Sequence, residues 1–183
     1  MKLVILDRDG VINYDSDNFI KTPEEWIPIP GSLEAIARLK REGYSIVIAT
    51  NQSGIARGLL TTDMLHRIHS KMLQALRNKG GDIDAIFFCP HGPGDGCRCR
   101  KPRPGMFEDI TQRMKINLSN VLAVGDSERD VVAARDVMAR PVLVKTGKGA
   151  KTLKTSTQLE GVPVFKDLAS FTDSLLRGEL VVS

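Results

Sequence analysis

The chain alternates short, continuously apolar segments with longer segments in which apolar residues recur every three or four positions. Continuous runs rich in β-branched residues are typical of strands buried on both faces of a parallel sheet, and the spaced pattern is typical of amphipathic helices. The runs predict strands at Leu3–Leu6, Tyr44–Ala49, Ile83–Phe88, Val121–Val124, Pro141–Val144 and Val162–Phe165. The spaced segments predict helices at Ser32–Glu42, Thr62–Lys79, Pro104–Met114, Glu128–Val137 and Leu168–Leu176.

This alternation of strands and helices predicts an α/β protein, with a Rossmann-like parallel sheet and helices on both faces. The 183 residues contain no internal repeat, low-complexity segment or linker, so we expect a single domain over residues 1–183. The stretch Lys145–Glu160, with its glycines, lysines and threonines, is predicted to be a mobile loop.

Three of the predicted strands end in polar residues at the same relative place. Asp7 and Asp9 follow the first, residues 50–53 follow the second, and Asp126 follows the fourth. In open parallel sheets, ligands bind beyond the carboxyl ends of the strands. Any one of these ends has an ordinary explanation as a loop start or a helix cap, and residues 127–130 have the spacing of a capping box. The three together predict one functional site.

The two aspartates at the first strand end predict metal-assisted chemistry. Carboxylates one residue apart in extended chain project to the same side and repel each other unless a cation lies between them. Asp7 is suited to attack phosphorus, and Asp9 to protonate the leaving oxygen and later to deprotonate water. Asp126 would complete a Mg²⁺ site with Asp7 and Asp9. Thr50 and Lys101 would bind the phosphoryl oxygens.

All three cysteines lie in one loop together with one of the three histidines. The number and type of these side chains fit a closed, structural Zn²⁺ site. The predicted ligands are Cys89, His91, Cys97 and Cys99. Two other readings stay open, a glycine-rich loop with incidental thiols and a redox-active Cys-x-Cys. A zinc ion here would hold the backbone that leads to Lys101, and Arg100 beside it is suited to bind a second anionic group.

These residues resemble the four-part signature of the haloacid dehalogenase-like phosphatases, a resemblance that runs from end to end of the chain. The four motifs match Asp7-Arg-Asp9-Gly, Thr50, Lys101, and Gly125-Asp126 with Asp130. Members of this superfamily usually carry a cap domain between the motifs. Only 42 residues lie between Asp7 and Thr50, and 50 between Thr50 and Lys101. The resemblance therefore implies a member without a large cap.

The zinc loop before Arg-Lys-Pro, with Asp-Arg-Asp-Gly-Val-Ile-Asn and Thr-Asn-Gln-Ser-Gly-Ile-Ala-Arg-Gly, resembles the D-glycero-D-manno-heptose 1,7-bisphosphate phosphatases over nearly the whole chain. The histidinol-phosphate phosphatases are similar and share the zinc loop. The resemblance implies removal of the C7 phosphate, with the product going towards nucleotide-activated heptose for the lipopolysaccharide core. It also implies substrate contacts from Asp15, Ser16, Asp17, Asn18, Asn51, Gln52, Ser53 and Arg100. The chain departs from some family members at Ser127, where they have lysine.

Alternatives to this function come from the same fold and from another class. The same fold would also serve a histidinol-phosphate phosphatase or a nucleic-acid 3′-end phosphatase, and a zinc-bearing binding module without catalysis is the alternative of another class. The net charge is +4, and the basic residues are scattered, which fits a small anionic substrate without nucleic acid. No apolar run approaches the ~18 residues of a membrane span, and none resembles a signal peptide. We expect a cytoplasmic monomer.

Three further side chains have simpler predictions. His66 and His69 are three residues apart on a predicted helix and are expected on its solvated face. Trp26 is expected to anchor the loop after Asp9 by being buried. Arg57 is equally suited to reach a phosphate or to lie on a surface loop.

Overall fold

The computed structural model describes residues 2–180, in which six strands form one sheet. The strands are β1 (Lys2–Leu6), β2 (Tyr44–Asn51), β3 (Ala85–Cys89), β4 (Leu122–Gly125), β5 (Arg140–Val144) and β6 (Val164–Phe165). Their order across the sheet is β3-β2-β1-β4-β5-β6, and each neighbouring pair is parallel. The predicted α/β class with a parallel sheet is confirmed.

Helices cover both faces of this sheet. They are α1 (Ser32–Arg41), α2 (Thr62–Asn78), α3 (Gly105–Met114), α4 (Glu128–Asp136), α5 (Gly149–Thr155) and α6 (Leu168–Leu176). The apolar sides of α1, α2 and α6 form one core cluster with the sheet, and those of α3 and α4 form another. Alternate residues of β1 belong to the two clusters, as expected for a strand buried on both faces.

The strand order places β1 next to both β2 and β4. The chain runs from β1 outwards to β3, then crosses back to β4 and continues outwards to β6. This reversal creates a crevice beyond the carboxyl ends of β1 and β4, which is where open α/β sheets bind ligands. The segments between β1 and β3 contain a loop, a 3₁₀ turn at Pro23–Glu25, α1 and α2. Within residues 2–180 no large cap is inserted, as the spacing of the motifs implied.

The structure contradicts the prediction that Lys145–Glu160 is a mobile loop. This stretch contains α5, whose first residues pack closely on β5 and on the strand end at Asp126. The short helix lacks a clear apolar stripe, so hydrophobic periodicity did not reveal it. It is held by polar contacts instead, because the Thr152 hydroxyl donates to the Asp126 carbonyl oxygen at 2.9 Å.

The prediction for His69 is also wrong, whereas that for His66 is confirmed. His66 is exposed, but His69 is only 5% exposed and lies on the buried side of α2 between Leu65 and Met72 in the helical repeat. The polar ring of His69 can be buried because Arg8, which follows β1, forms a hydrogen bond with it. Trp26 is 1% exposed and belongs to the core, as expected.

No helix in the described part of the chain has both the length and the apolar character needed to cross a membrane.

Candidate active site

A cavity of about 230 Å³ opens at the carboxyl ends of β1, β2 and β4. Its most buried part is lined by Asp126, Asp130 and Lys101, and its more exposed part includes three arginines and the carboxylate of Asp17. Most of the predicted site residues line this cavity. They are Asp7, Asp9, Asp15, Ser16, Asp17, Thr50, Asn51, Gln52, Ser53, Arg100, Lys101 and Asp126. The structure therefore brings together side chains that lie more than a hundred residues apart in sequence.

Lys101 is buried between two carboxylates. Its Nζ donates to Asp130 Oδ1 at 2.6 Å and to the Ala49 carbonyl oxygen at 2.7 Å, and it lies 3.2 Å from Asp7 Oδ1. Burial alone would lower the pKa of Lys101, but the Asp130 and Asp7 carboxylates outweigh it and raise that pKa. A buried ammonium at neutral pH thus lies against Asp7, close enough to contact a group attached to that carboxylate.

Asp130 keeps Lys101 charged and fixes the strand end at Asp126. Its Oδ2 accepts hydrogen bonds from the Ser127 hydroxyl at 2.7 Å and from the Ser127 N–H at 3.0 Å. The latter bond is half of the predicted capping box at the start of α4. Burial would raise the pKa of Asp130, but Lys101 and these donors hold it below its ordinary value. Its oxygens are engaged by protein donors, so we assign it to the support of Lys101.

The carboxylates of Asp7 and Asp126 lie close together, with that of Asp130 beside them. Ligand oxygens of Asp7, Asp126 and Asp130 lie within 4.8 Å of one another. Burial, together with the negative charges of Asp130 and Asp7, raises the pKa of Asp126 to about 8. Burial likewise raises the pKa of Asp7 to about 6 against the opposing effect of Lys101. Crowded carboxylates with raised pKa values are the environment that a bound divalent cation relieves, and their oxygen donors fit Mg²⁺.

Two glycines allow the chain to pass close to Asp126. A Cβ at Gly10, which has φ +84°, would lie 2.0 Å from Asp126 Oδ2, and one at Gly147, with φ +56°, would lie 2.2 Å from it. The same Oδ2 accepts a hydrogen bond from the Lys148 N–H at 2.8 Å. The turn at Gly147 thus orients the Asp126 carboxylate.

The Asp9 carboxylate lies outside the Asp7–Asp126–Asp130 group. Arg8 Nε donates to Asp9 Oδ1 at 2.9 Å and Arg8 Nη2 donates to Oδ2 at 3.1 Å. Asn13 and Gln52 add amide donors at 2.9 and 3.0 Å. Burial would raise the pKa of Asp9, but Arg8 and the two amides lower it below its ordinary value. The prediction that the Asp9 carboxylate shares the metal with Asp7 therefore gains no support from its contacts.

Thr50 is fully buried at the end of β2, and Gln52 connects it to Asp9. Gln52 Nε2 donates to Thr50 Oγ1 at 2.9 Å and to Asp9 Oδ2 at 3.0 Å. Because Thr50 Oγ1 accepts from Gln52, its own proton is available to an acceptor in the cavity. Both residues thus fit the predicted positions beside a phosphoryl group.

The amide of Asn51, for which the resemblance implied a contact with the substrate, binds the main chain of Lys101. Its Nδ2 donates to the Lys101 carbonyl oxygen at 3.0 Å, and its Oδ1 accepts from the Lys101 N–H at 3.0 Å. The side chain lines the cavity, but both ends of the amide hold the main chain of Lys101. β2 and the loop before α3 are joined at this pair of hydrogen bonds.

The loop after β1 contributes three of its four predicted residues to the cavity. Asp15, Ser16 and Asp17 line it, whereas Asn18 does not. The main chain at Asn18 is turned into the loop itself, where its N–H donates to Ser16 Oγ and its carbonyl oxygen accepts from Lys21. The predicted contact of Asn18 with the substrate is therefore unsupported.

Four cations surround the more exposed part of the cavity, and sequence reasoning named only one of them as a binding residue. Arg100 was predicted, Arg57 was left undecided, and Arg129 and Lys148 were missed. Burial lowers the pKa of Arg100, and the nearby charges of Arg129 and Arg57 lower it further. Arg129 follows the same strand end as Asp126, so its place in residues 127–130 was the available signal.

The four predicted zinc ligands converge in the described structure. Cys89 Sγ lies 3.7 Å from Cys97 Sγ, 3.1 Å from Cys99 Sγ and 3.6 Å from His91 Nδ1. A tetrahedral Zn²⁺ with Zn–S bonds of about 2.3 Å separates its sulfur ligands by ~3.8 Å, close to the 3.7 Å between Cys89 and Cys97. None of the cysteines is in a disulfide. The donor set and its spacing fit a closed Zn²⁺ site.

Known proteins match this chain over nearly its full length. A family described as HAD-hydrolase-like matches residues 98–171. The chain is 56% identical over 177 residues to the D-glycero-beta-D-manno-heptose-1,7-bisphosphate 7-phosphatase of Bordetella bronchiseptica, covering 97% of this chain and 99% of that protein. It is 52% identical over 175 residues to the protein of that name from Pseudomonas aeruginosa, covering 96% and 98%.

Among solved structures, the chain matches a D,D-heptose 1,7-bisphosphate phosphatase from B. bronchiseptica that was crystallised with magnesium and phosphate. The TM-score is 0.95 at 56% identity, and the match covers 97% of this chain and 99% of that chain.

Proposed function

The chain belongs to the D-glycero-beta-D-manno-heptose-1,7-bisphosphate 7-phosphatase family of haloacid dehalogenase-like hydrolases, and we propose that it removes the C7 phosphate of D-glycero-D-manno-heptose 1,7-bisphosphate. The product, a heptose 1-phosphate, would be used for nucleotide-activated heptose and the lipopolysaccharide core. The observation that carries the proposal is the cavity in which Asp7, Thr50, Lys101 and Asp126 meet beside a group of arginines. We further propose that the protein acts as a cytoplasmic monomer.

Asp7 is the proposed nucleophile. Its Oδ1 accepts a hydrogen bond from the Arg8 N–H and makes an ion pair with Lys101 Nζ. The described contacts of this carboxylate thus involve Oδ1 and not Oδ2. A carboxylate oxygen attacks phosphorus, the bond between phosphorus and the C7 oxygen breaks, and an aspartyl-phosphate forms. A water molecule then attacks the phosphorus of this intermediate, which releases inorganic phosphate and restores the Asp7 carboxylate.

Asp9 is the proposed proton carrier for both steps. It gives a proton to the departing C7 oxygen and afterwards takes one from the attacking water. The bidentate contact with Arg8 favours the ionised form, which is the form required for the second step. A phosphate group next to Asp9 raises its pKa by like-charge repulsion, and this favours the protonated form required for the first step.

Mg²⁺ is the proposed catalytic metal, with the Asp7 and Asp126 carboxylates as its protein ligands. Their raised pKa values and their oxygen donors support this assignment. When bound, the ion offsets the repulsion between an anionic nucleophile and an anionic phosphate. Lys101 and the Thr50 hydroxyl are suited to bind the equatorial phosphoryl oxygens, where negative charge increases in the transition state.

The arginines support a substrate with two phosphates. The C7 phosphate would occupy the buried part of the cavity, and the second phosphate would contact Arg100 and Arg129. Arg100 donates to the His91 carbonyl oxygen, so the zinc loop orients it. Some family members have lysine at the position of Ser127. In this chain Arg129, two residues later, supplies a cation. Histidinol phosphate carries one phosphate and would not use this second group of charges.

Zn²⁺ is the proposed structural metal of the loop, bound by Cys89, His91, Cys97 and Cys99. The convergence of four soft donors supports it, as does the absence of a disulfide among these cysteines. A binding module without catalysis is disfavoured because every proposed catalytic side chain is present in one cavity.

The proposed function is tested by assaying the purified chain with Mg²⁺ on both anomers of the heptose bisphosphate, histidinol phosphate and a 3′-phosphorylated oligonucleotide. We expect the highest kcat/KM on a heptose bisphosphate, with loss of the C7 phosphate detected by ³¹P NMR. Asp7→Asn should lower kcat by roughly 10³ or more because the nucleophile is lost. Asp136→Asn, an exposed aspartate at the end of α4, is the matched control. Faster turnover of either alternative substrate would refute the assignment.

A further inference from the structure

Arg8 is a fully buried arginine located between the two aspartates of the first motif. A guanidinium without exposure to water requires hydrogen-bond acceptors for its N–H groups and a counterion. The counterion is Asp9, which accepts from Nε and Nη2 in a bidentate contact. This arrangement leaves Nη1 on the other side of the guanidinium in need of an acceptor.

His69 supplies that acceptor from α2. Its Nε2 lies 3.1 Å from Arg8 Nη1, and the ring is 5% exposed. Burial lowers the pKa of His69 to about 3, and the adjacent charge of Arg8 acts in the same direction. The ring is therefore neutral at pH 7, and Nε2 faces a donor, so Nε2 holds the lone pair and Nδ1 the proton.

This contact fixes Arg8 at both ends of its guanidinium plane. Asp9 contacts one edge of the plane and His69 contacts Nη1. The ring accepts a hydrogen bond without bringing a second negative charge, so it does not compete with Asp9 for the charge of Arg8. A carboxylate whose bidentate partner is fixed has fewer orientations available. The proposed catalytic steps assign no role to His69.

We propose that His69 is a positioning residue that acts through Arg8 to hold the Asp9 carboxylate in place for its proton transfers. The inference rests on the proposed function, because it gives His69 a role in the same site. Proton transfer is sensitive to placement, and a displacement of about 1 Å can lower the rate by roughly 10². Loss of this contact should therefore lower kcat and leave binding of the phosphates, which other side chains contact, unchanged.

The test compares His69→Leu, which removes the acceptor, with His69→Gln, whose side-chain oxygen can still accept from Arg8. For His69→Leu we expect a kcat lower by roughly 10–10² and a KM within about twofold of the wild type. For His69→Gln we expect a kcat within about fivefold of the wild type, because one hydrogen bond to a charged group is retained. His66→Leu, on the exposed side of the same helix, is the matched control. Circular dichroism monitors folding.

His69→Asn covers the case in which His69→Leu does not fold. It is polar like glutamine but one methylene shorter, so we expect the defect of His69→Leu in a folded protein. A wild-type kcat in His69→Leu or His69→Asn would overturn the positioning role, as would equal losses in the glutamine and leucine variants. An increase in KM with an unchanged kcat would also contradict it.

Crystal structures of the leucine or asparagine variant and of the glutamine variant give a readout that does not depend on turnover. We expect Arg8 and Asp9 to shift in the leucine or asparagine variant and to keep their contact in the glutamine variant. An unmoved Arg8–Asp9 pair without the acceptor would overturn the inference even if the wild type had no activity on the heptose bisphosphate. That lack of activity, in contrast, would overturn only the proposed function.

Discussion

Thr50 shows how a single hydroxyl is prepared for one task. It is buried at a strand end, and its oxygen already accepts a hydrogen bond from Gln52. The hydroxyl proton is then left to point to an acceptor in the cavity, and the phosphoryl oxygen is the acceptor that we propose. The sequence placed a hydroxyl at this strand end, whereas the direction in which it donates depends on Gln52.

Replacement of Thr50 by valine should therefore lower kcat by roughly 10²–10³, the usual effect of removing one donor to a developing charge. Valine has nearly the same shape, so the packing at the end of β2 should persist. Thr50→Ser keeps the hydroxyl and should lose no more than about tenfold. Steady-state kinetics on the heptose bisphosphate would measure both variants. If valine and serine are equally active, Thr50 is not a donor to the phosphate.

His69 and Arg129 are the residues where sequence reasoning failed at this scale. A helical histidine beside polar neighbours looks the same in sequence whether it faces water or a buried arginine 61 residues away. Arg129 looks like an ordinary helix residue after a capping serine. Neither side chain shows its partner in the local pattern, because the partner comes from another element.

At the scale of elements, the loop between β3 and α3 joins the zinc ligands to Lys101. Cys99 lies two residues before Lys101, and the Lys101 main chain is also held by the amide of Asn51. The lysine thus has two anchors, one in the proposed zinc site and one at the end of β2. The larger core cluster, which α1, α2 and α6 form with the sheet, contains none of the zinc ligands, whereas Cys89 belongs to the smaller cluster under α3 and α4.

Loss of zinc should therefore loosen Lys101 without unfolding the sheet. We expect Cys99→Ser, or removal of zinc by a chelator, to lower kcat by about 10–10², the usual cost of disturbing the support of a site residue. Cys99→Ser combined with Asn51→Ala should lose more than either change alone, since both anchors are then absent. Zinc content, kcat and far-UV circular dichroism would be measured together. Full loss of the dichroism signal after chelation would contradict the prediction, and zinc added back to the chelated wild type is the control.

At the scale of the whole molecule, the crowded carboxylates connect metal binding to stability. Without metal, the pKa of Asp126 is raised to about 8 and that of Asp7 to about 6, from an ordinary value of 3.8. Between the ordinary pKa and the raised ones, the folded protein binds more protons than the unfolded chain. Its free energy of unfolding therefore falls as pH rises through this window. Asp9 and Asp130 have lowered pKa values, and they act below this window with the opposite sign.

The melting temperature of the metal-free protein should thus decrease between about pH 5 and pH 8. Mg²⁺ should raise it more at pH 8 than at pH 5, because protons compete with the metal for the carboxylates at lower pH. Asp126→Asn should flatten the pH dependence and weaken the response to Mg²⁺. Asp136→Asn should behave like the wild type. Calorimetry with and without Mg²⁺ measures these effects, and a melting temperature that rises with pH in the metal-free wild type would rule out this account.

The sequence by itself determined the strands, most of the helices and the class of chemistry. Buried parallel strands need continuous apolar runs, and these are visible in a single segment, as at Leu3–Leu6. Carboxylates that follow such runs, as at Asp7 and Asp126, are also visible, because nothing in core packing calls for them. The four soft donors of the cysteine loop were recognisable for the same reason, since they lie within eleven residues of one another.

Only the tertiary structure decided how these side chains share their partners. It turned the Asp9 carboxylate towards Arg8, gave the amide of Asn51 to Lys101, buried His69 and ordered α5 against Asp126. The physical reason is that hydrogen bonds and ion pairs between distant segments depend on which strand ends become neighbours. Hydrophobic periodicity is a local property and predicts the elements. The partner of a buried charge is set by the order of strands in the sheet, β3-β2-β1-β4-β5-β6.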